Sequence, residues 1–544
     1  MCGIFAFLLN NKYKLTLEQR KKLLSESIKI QHRGPDNTIF NEYGNSKVFF
    51  TFHRLCIIDK MESGNQPLRV NNIALVCNGE IYNYKELIET HHLDVVSGSD
   101  CEVIIHLYLK YGIEKTLTLL DGVFAFVLYN IVADEAYIAR DPIGVRSLYY
   151  GKNFKGDFVV GSEVKSIQNL VNGKVSVFPP GCYYKFKNGE TSLDFKRYYD
   201  YNYKLSIKHE EMTDDYFLHT MMLKTKHYLT DAVKKRMMSE RPVGCLLSGG
   251  LDSSLITALV SKYYTKAPLQ TFSIGLEGSE DLKYARMVAD FLGTHHHEVV
   301  VTEKDMLDFI ETDIVQIESY DTTTVRASVP MLMLCKYVRE NTDVIVIYSG
   351  EGSDEASGSY LYFHNAPTPK DFQEECVRLI KDLNRFDVLR CDKSTAGAGL
   401  EVRVPFLDKQ FLEHYMSVPA EMKVPKDGME KWFLRKSFED MGLLPKEVLW
   451  RTKDGMSDGC SSKSKPWYSI IQDYVDTIIS DEEFELSKSS YTFNPPQIKE
   501  TLYYRRLFEK HYPSQEHLTP YYWLPKWSGD ITNPSGRIIE ITEK

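Results

Sequence analysis

The sequence predicts two unlike halves: an α+β N-terminal domain of stacked antiparallel sheets with helices, followed by an α/β domain with a mostly parallel sheet. Three observations carry this. About 200 residues at the start read as short strands separated by turn signals. Helices and apolar strands alternate after them, the pattern of a sheet covered on both faces with ligands at the strands' carboxyl ends. Between the two lies DYNYKLSIKHEEMTDD, polar and without apolar periodicity, which sets a boundary near residue 205 and divides the chain into 1–205 and 206–544.

In chain order, the strand candidates of the first half are CGIFAFLL, KVFFTFHRLCIID, NNIALVCNGEIYN, VFAFVLYN, EAYIARD, SLYYGK, DFVVGSE and GCYYKFK. EQRKKLLSESIKI and DCEVIIHLYLKYG between them have helical spacing. In the second half FLHTMMLKTKHYLTDAVKKRMM, SLITALVSKYY and DLKYARMVADFLG read as helices, the last with Leu282, Ala285, Ala289 and Leu292 on one face and a stop at Gly293. VGCLL, LQTFSIGL, HEVVV and DVIVIY read as strands, with helices from Met306 to Tyr337.

At 43% apolar and 26% charged residues, the composition is that of a soluble globular protein, and 544 residues exceed one ordinary domain. A net charge of −9 without a dominant basic stripe argues against nucleic acid as a partner; Lys234-Lys235-Arg236 is read as a solvated helix face. Ten cysteines with no C-x-x-C pair and no zinc spacing point to a reduced compartment, with the cytoplasm as the expectation. IFAFLL is too short and lacks the basic flank of a signal peptide, and nowhere do about 18 apolar residues follow one another, so no membrane span is expected. His295-His296-His297 is not expected to hold a metal, because a strand points neighbours to opposite faces.

Three short segments carry chemistry. MCGIF puts Cys2 directly behind the initiator methionine; with Met1 removed, one residue bears both a thiol nucleophile and an α-amino group of pKa roughly 7.7–8.0 that can serve as its base. VGCLLSGGLDSS sets a Gly-rich loop between a strand and a helix, where amides and the hydroxyls of Ser248 and Ser253 cradle an anion. No Lys follows the glycines, so this is not a Walker loop, and Asp252 would repel phosphate without a cation between, which implies Mg2+. IVIYSGEGSDE repeats the grammar and brings Glu351, Asp354 and Glu355 to a strand's carboxyl end, as magnesium ligands or proton acceptors.

SGGLDSS resembles the pyrophosphate motif of the ATP pyrophosphatase enzymes. ESYDTTTVRASVPM, SGEGSDE, SYLYFHNAP, GLEVRVPFLD and WRTKDGMSDG follow it in the order found in glutamine-hydrolysing asparagine synthetases, as do PKW and NPSGR, so the resemblance runs from Cys2 to about Arg537. It implies an ATP pyrophosphatase-type second domain in which L-aspartate and Mg2+-ATP give β-aspartyl-AMP and pyrophosphate, and ammonia then displaces AMP to form L-asparagine. By motif, Asp252 and Asp354 are implied to hold Mg2+ and pyrophosphate, and Ser248, Gly249, Gly250 and Ser253 to surround the phosphates. Leu246, Ile274, Ser349 and Gly350 would line ATP. The same resemblance implies Glu351 in intermediate formation and ammonia attack, and Lys393, Arg403 and Lys453 as cations near aspartate or the phosphates.

MCGIF, QHRGPD, HRLCIID, NGEIYN, SGSDCE and RDPIGVRSLYYG, in this order, resemble the N-terminal-nucleophile (class II) glutaminase domain of several amidotransferases. That implies Cys2 attacking the amide of L-glutamine to give a thioester, the oxyanion held by the Asn78 side chain and the Gly79 N–H. Arg54 would pair with the substrate carboxylate and Glu80 and Asp100 with its α-ammonium, while the backbone of Arg54, Leu55, Cys56, Ile57 and Ile58 completes the pocket. A sheltered route would carry ammonia between the sites, and the family suggests a homodimer. One segment departs: after SGEGSDE the family usually has an apolar residue, an aromatic and two glycines, where this chain has Ala356-Ser357-Gly358-Ser359. The other readings are a related glutamine-dependent or β-lactam-type amide synthetase and a degenerate, non-catalytic homologue.

Overall fold

Gly3–Leu8 turns Ile4, Ala6 and Leu8 to one side and Phe5 and Phe7 to the other, and both sets are buried, so this strand lies inside the molecule with a packed layer on each face. The computed structural model describes residues 1–10, 13–189, 192–210, 212–452 and 455–539. Gly3–Leu8 belongs to a six-stranded sheet ordered Ser176–Val177, Tyr149–Lys152, Phe158–Gly161, Gly3–Leu8, Val48–Arg54, Asn37–Tyr43. A second six-stranded sheet runs Phe195–Arg197, Cys182–Lys187, Glu135–Arg140, Gly122–Asn130, Ile73–Ile81, Leu68–Val70. All pairings in both are antiparallel.

The sheets stack through Ile4, Ala6, Phe50, Phe52, Val76, Val127 and Ile138. On the far side of the second sheet, Leu75, Phe124 and Phe126 meet Leu87, Ile104 and Ile105 of the helices Tyr84–His91 and Val103–Leu119. Asn37–Tyr43 is a strand the sequence reading omits: it sits on an edge, half-buried beyond its exposed first residue, and so shows no apolar alternation. Conversely, KVFFTFHRLCIID is a strand only as far as Arg54, after which Leu55 to Asp59 leaves the sheet.

In the second half five strands lie in the order His295–Val301, Gln270–Leu276, Val243–Leu246, Val346–Tyr348, Glu401–Arg403, and all four pairings are parallel. By chain position this order is 3-2-1-4-5, so the winding reverses between Val243–Leu246 and Val346–Tyr348. A crevice opens at the carboxyl ends of strands flanking such a reversal. The loops that leave these two strands are SGGLDSS and SGEGSDE. Gly293 closes the helix Glu280–Leu292 with a left-handed φ of 66°, as its sequence predicts.

Buried charges join the halves. Arg33, fully buried, places Nη1 2.7 Å from Glu163 and Nη2 2.9 Å from Asp392 of the helix Asp387–Gly397. Arg146 adds a contact of 3.5 Å to Asp392. Charges this dry persist only when paired.

Candidate functional site

Antiparallel pairing of Gly3 with His53 brings Cys2 to the point where the chain leaves Val48–Arg54. Its Sγ accepts from the Leu55 amide at 3.4 Å. Burial pushes the thiol up to about 12 and lowers the Met1 amino group to about 6. Met1 is buried, its amine donating to the Leu400 carbonyl at 3.2 Å across the junction of the halves.

Asn78 and Gly79 lie on the strand Ile73–Ile81. Both polar atoms of the Asn78 side chain, Nδ2 and Oδ1, are buried without a hydrogen-bond partner, a cost a binding site bears and a core does not. Glu80 is similar: its Oε2 has no hydrogen-bond partner, and burial, with Glu401 and Asp100 nearby, holds its pKa well above the carboxylate range against the opposing pull of Arg403. Asp100 accepts from the Ile81 amide at 2.6 Å and is raised to about 7, mainly by burial.

Arg54 donates to Met61 O at 2.8 Å, to Asn65 Oδ1 at 2.7 Å and to Asp59 O, all neutral acceptors that orient the guanidinium without cancelling its charge. Part of the backbone expected to line this pocket is already engaged. The Cys56 amide donates to Asp36 Oδ2 at 2.8 Å, and the Ile57 carbonyl accepts from the Glu240 amide at 3.0 Å. Leu55 and Ile57 are buried and Ile58 partly so, in the core shared with the second half.

At the reversal of the parallel sheet is a cavity of about 870 Å³. Leu246, Ser248, Gly250, Asp252, Ser253 and Ile274 line one side, and Ser349, Gly350, Glu351 and Asp354 the other. Gly249 does not line it; a Cβ there would lie 2.4 Å from the Ala285 nitrogen and the Tyr284 carbonyl carbon, so only glycine fits at this turn. At Gly350 the two loops nearly touch, since a Cβ there would lie 2.8 Å from Asp252 C and Ser253 N. The Ser248 and Ser253 hydroxyls are 3.0 Å apart.

The cation between the two aspartates is Lys431, which the sequence reading missed. Its Nζ is 2.5 Å from both Asp252 Oδ2 and Asp354 Oδ1. Arg390, also missed, holds Glu351 through Nη2 at 2.8 and 2.9 Å and reaches Asp387 at 3.1 Å. Burial raises Glu351 to about 7 although Arg390 opposes the rise.

Lys393 and Arg403, expected near aspartate or the phosphates, do not line the cavity. Lys393 is buried with Nζ 2.5 Å from Glu318 and 4.6 Å from the Tyr149 ring. Arg403 is buried against Glu401 at 3.0 Å and Glu80 at 3.6 Å, and donates to the Arg236 and Met238 carbonyls. Both are structural charges whose carboxylate partners are a long way off in sequence or on the same short strand. Lys453 lies outside the described residues. Asp252 and Asp354 are hard oxygen donors converging on one cation, a set that suits Mg2+ completed by substrate phosphates.

Comparison with known proteins agrees with this two-site plan. A glutamine amidotransferase domain model matches residues 1–178, and an asparagine synthase model matches residues 224–371 and 364–533. The asparagine synthetase [glutamine-hydrolyzing] of Gallus gallus is 44% identical over 563 residues, 99% of either chain. Those of Cricetulus griseus and Homo sapiens are 43% and 42% identical over 560 residues, 99% of this chain and 98% of theirs. With Cys2 and the unpartnered polar atoms of Asn78 in the first half and an aspartate-lined crevice in the second, relatives 42–44% identical across nearly the full length show that the chain belongs to the glutamine-hydrolysing asparagine synthetases.

Proposed function

We propose that the protein makes L-asparagine from L-aspartate and ATP with nitrogen from L-glutamine, by way of β-aspartyl-AMP, releasing AMP, pyrophosphate and L-glutamate. The observation that carries this reading is the crevice in which two strand-end loops bring Asp252, Asp354 and Lys431 together. Attack of an aspartate carboxylate on a phosphate crowds anions, and the loop amides, the Ser248 and Ser253 hydroxyls and Lys431 offset that charge as it moves to the leaving group. Asp252 and Asp354 would hold Mg2+, which when bound neutralises the departing pyrophosphate. Glu351, near neutrality in pKa and fixed by Arg390, is suited to take the proton that attacking ammonia must lose.

At the other site the thiol of the partly buried Cys2 is pushed up to about 12 and needs a base to ionise. Removal of Met1 frees an α-amine on the same residue, and the burial that lowers the Met1 amine favours the neutral, proton-accepting form at this place. Asn78 and Gly79 take the oxyanion, Arg54 the substrate carboxylate, and Glu80 with Asp100 its ammonium. Ammonia then moves along the junction, sheltered from protonation by bulk water. This reading takes the chain as a cytoplasmic homodimer dividing near residue 205; no described helix is long and apolar enough to cross a membrane, and the ten cysteines are all free.

The test is incubation with Mg2+-ATP, aspartate and glutamine: asparagine, glutamate, AMP and pyrophosphate appear together. ADP and phosphate in place of AMP and pyrophosphate refute the adenylation chemistry.

A further inference from the structure

Ala356-Ser357-Gly358-Ser359, the segment that departs from the family's usual pattern, folds back onto the synthetase site. The short helix Ser353–Ser357 ends at Gly358, whose left-handed φ of 59° reverses the chain; a Cβ there would sit 2.3 Å from the Phe372 ring. The reversal brings the Ser359 amide to the Asp354 carbonyl at 3.1 Å and the Ser359 hydroxyl to Asp354 Oδ1 at 2.5 Å. Ser359 is fully buried, so no water competes for this bond. The same Oδ1 receives Lys431 Nζ, which also reaches Asp252 Oδ2, while Ser353 donates to Asp252 Oδ1 at 2.7 Å. Each of the two aspartates is therefore held by a serine hydroxyl and shares one ammonium.

We infer that Ser359 is a positioning residue: its hydroxyl fixes the Asp354 carboxylate in the orientation that, with Asp252, receives the divalent cation of ATP. The inference rests on the reading of this crevice as the Mg2+-ATP site. A carboxylate rotates about its Cβ–Cγ bond unless an outer partner holds it, and loss of such a partner costs about 10- to 100-fold in metal affinity. Where the family usually carries glycine, this chain supplies a donor of its own, so its affinity for the metal–nucleotide complex depends on a side chain that glycine lacks.

The experiment uses the whole protein and Mn2+ with α,β-methylene-ATP, with binding followed by water-proton relaxation, in the wild type, Ser359→Ala, Ser359→Gly and Asp354→Asn. Expected is about a tenfold rise in the Mn2+–nucleotide dissociation constant for both Ser359 variants. KM for Mg2+-ATP rises alongside, kcat changes far less, and glutaminase activity holds. A dissociation constant unchanged in both Ser359 variants, with Asp354→Asn weakened, overturns the inference and leaves the Mg2+-ATP reading standing. Parallel loss of kcat and thermal midpoint at unchanged Mn2+ affinity also overturns it, showing that Ser359 only closes its turn. If Asp354→Asn binds as the wild type does, the reading of the crevice falls and the inference with it.

Discussion

Asn78 carries two buried polar atoms with no partner, on a strand whose other interior side chains, Glu80 apart, are apolar, and such a cost is sustained when a substrate supplies the partner. Asn78→Ala is expected to lower glutaminase kcat by about 10²- to 10³-fold, the loss seen when one oxyanion donor is removed, with ammonia-dependent asparagine synthesis unchanged. Steady-state assays with the two nitrogen sources check this, and equal loss with both would place Asn78 outside the glutaminase reaction. Asp100 adds a pH signature. Its carboxyl is raised to about 7, chiefly by burial, so it is charged above that pH and neutral below it. In the proposed role of Asp100 as partner of the glutamine α-ammonium the charged form is required, and kcat/KM for glutamine should therefore fall as pH drops from about 8 to about 6. Asp100→Asn should remove that limb of the profile and start from the low plateau. Asp100 is legible as a residue in SGSDCE; its pKa is not, because the burial that sets it comes from strands far off in the chain.

The two strand-end loops show what an element's sequence does and does not carry. SGGLDSS and SGEGSDE are readable one at a time, since each puts glycines and acids after an apolar run. That they face each other follows from the reversal of strand order, which no local pattern encodes. Lys431 was missed for the same reason: it lies 179 residues from Asp252 and 77 from Asp354, at the start of the helix Trp432–Phe438, where it reads as an ordinary surface lysine. Arg403 erred in the opposite direction, because a motif cation tells nothing of its partners, and here they are a glutamate two residues away and one from the other half. Contact between the loops predicts that Gly350→Ala, forcing a Cβ into Asp252 and Ser253, separates them at a cost of about 1–3 kcal/mol. Pyrophosphate release with either nitrogen source should fall, and glutaminase activity should remain. Retention of full ATP affinity would mean that the loops need not touch.

Across the whole molecule the two halves are tied by a network of buried charges. Arg33 donates through Nε to the Cys2 carbonyl at 3.1 Å and through its two terminal nitrogens to Glu163 and Asp392, so one side chain links the backbone of Cys2 to a helix of the second half. Asp392 also faces Arg146 and accepts from Ser147. Asp392→Ala leaves two buried guanidiniums with one carboxylate fewer, and breaking a buried pair in this way costs about 3–5 kcal/mol. A lower thermal midpoint follows, but the sharper expectation concerns coupling. Because Arg33 anchors Cys2, glutamine-dependent synthesis should fall further than ammonia-dependent synthesis at a temperature where the variant is folded. Replacing both charges, as in Arg33→Met with Asp392→Leu, removes one of the two guanidiniums; Arg146 keeps Glu401 and Glu163 keeps Lys165, so part of the stability should be recovered. It cannot restore the bond to the Cys2 carbonyl, so the ratio of glutamine- to ammonia-dependent rates should stay low in the double variant. If the ratio returns with stability, the network serves folding alone; if it stays low while the thermal midpoint recovers, the junction itself holds the nucleophile in register with the site that consumes its ammonia.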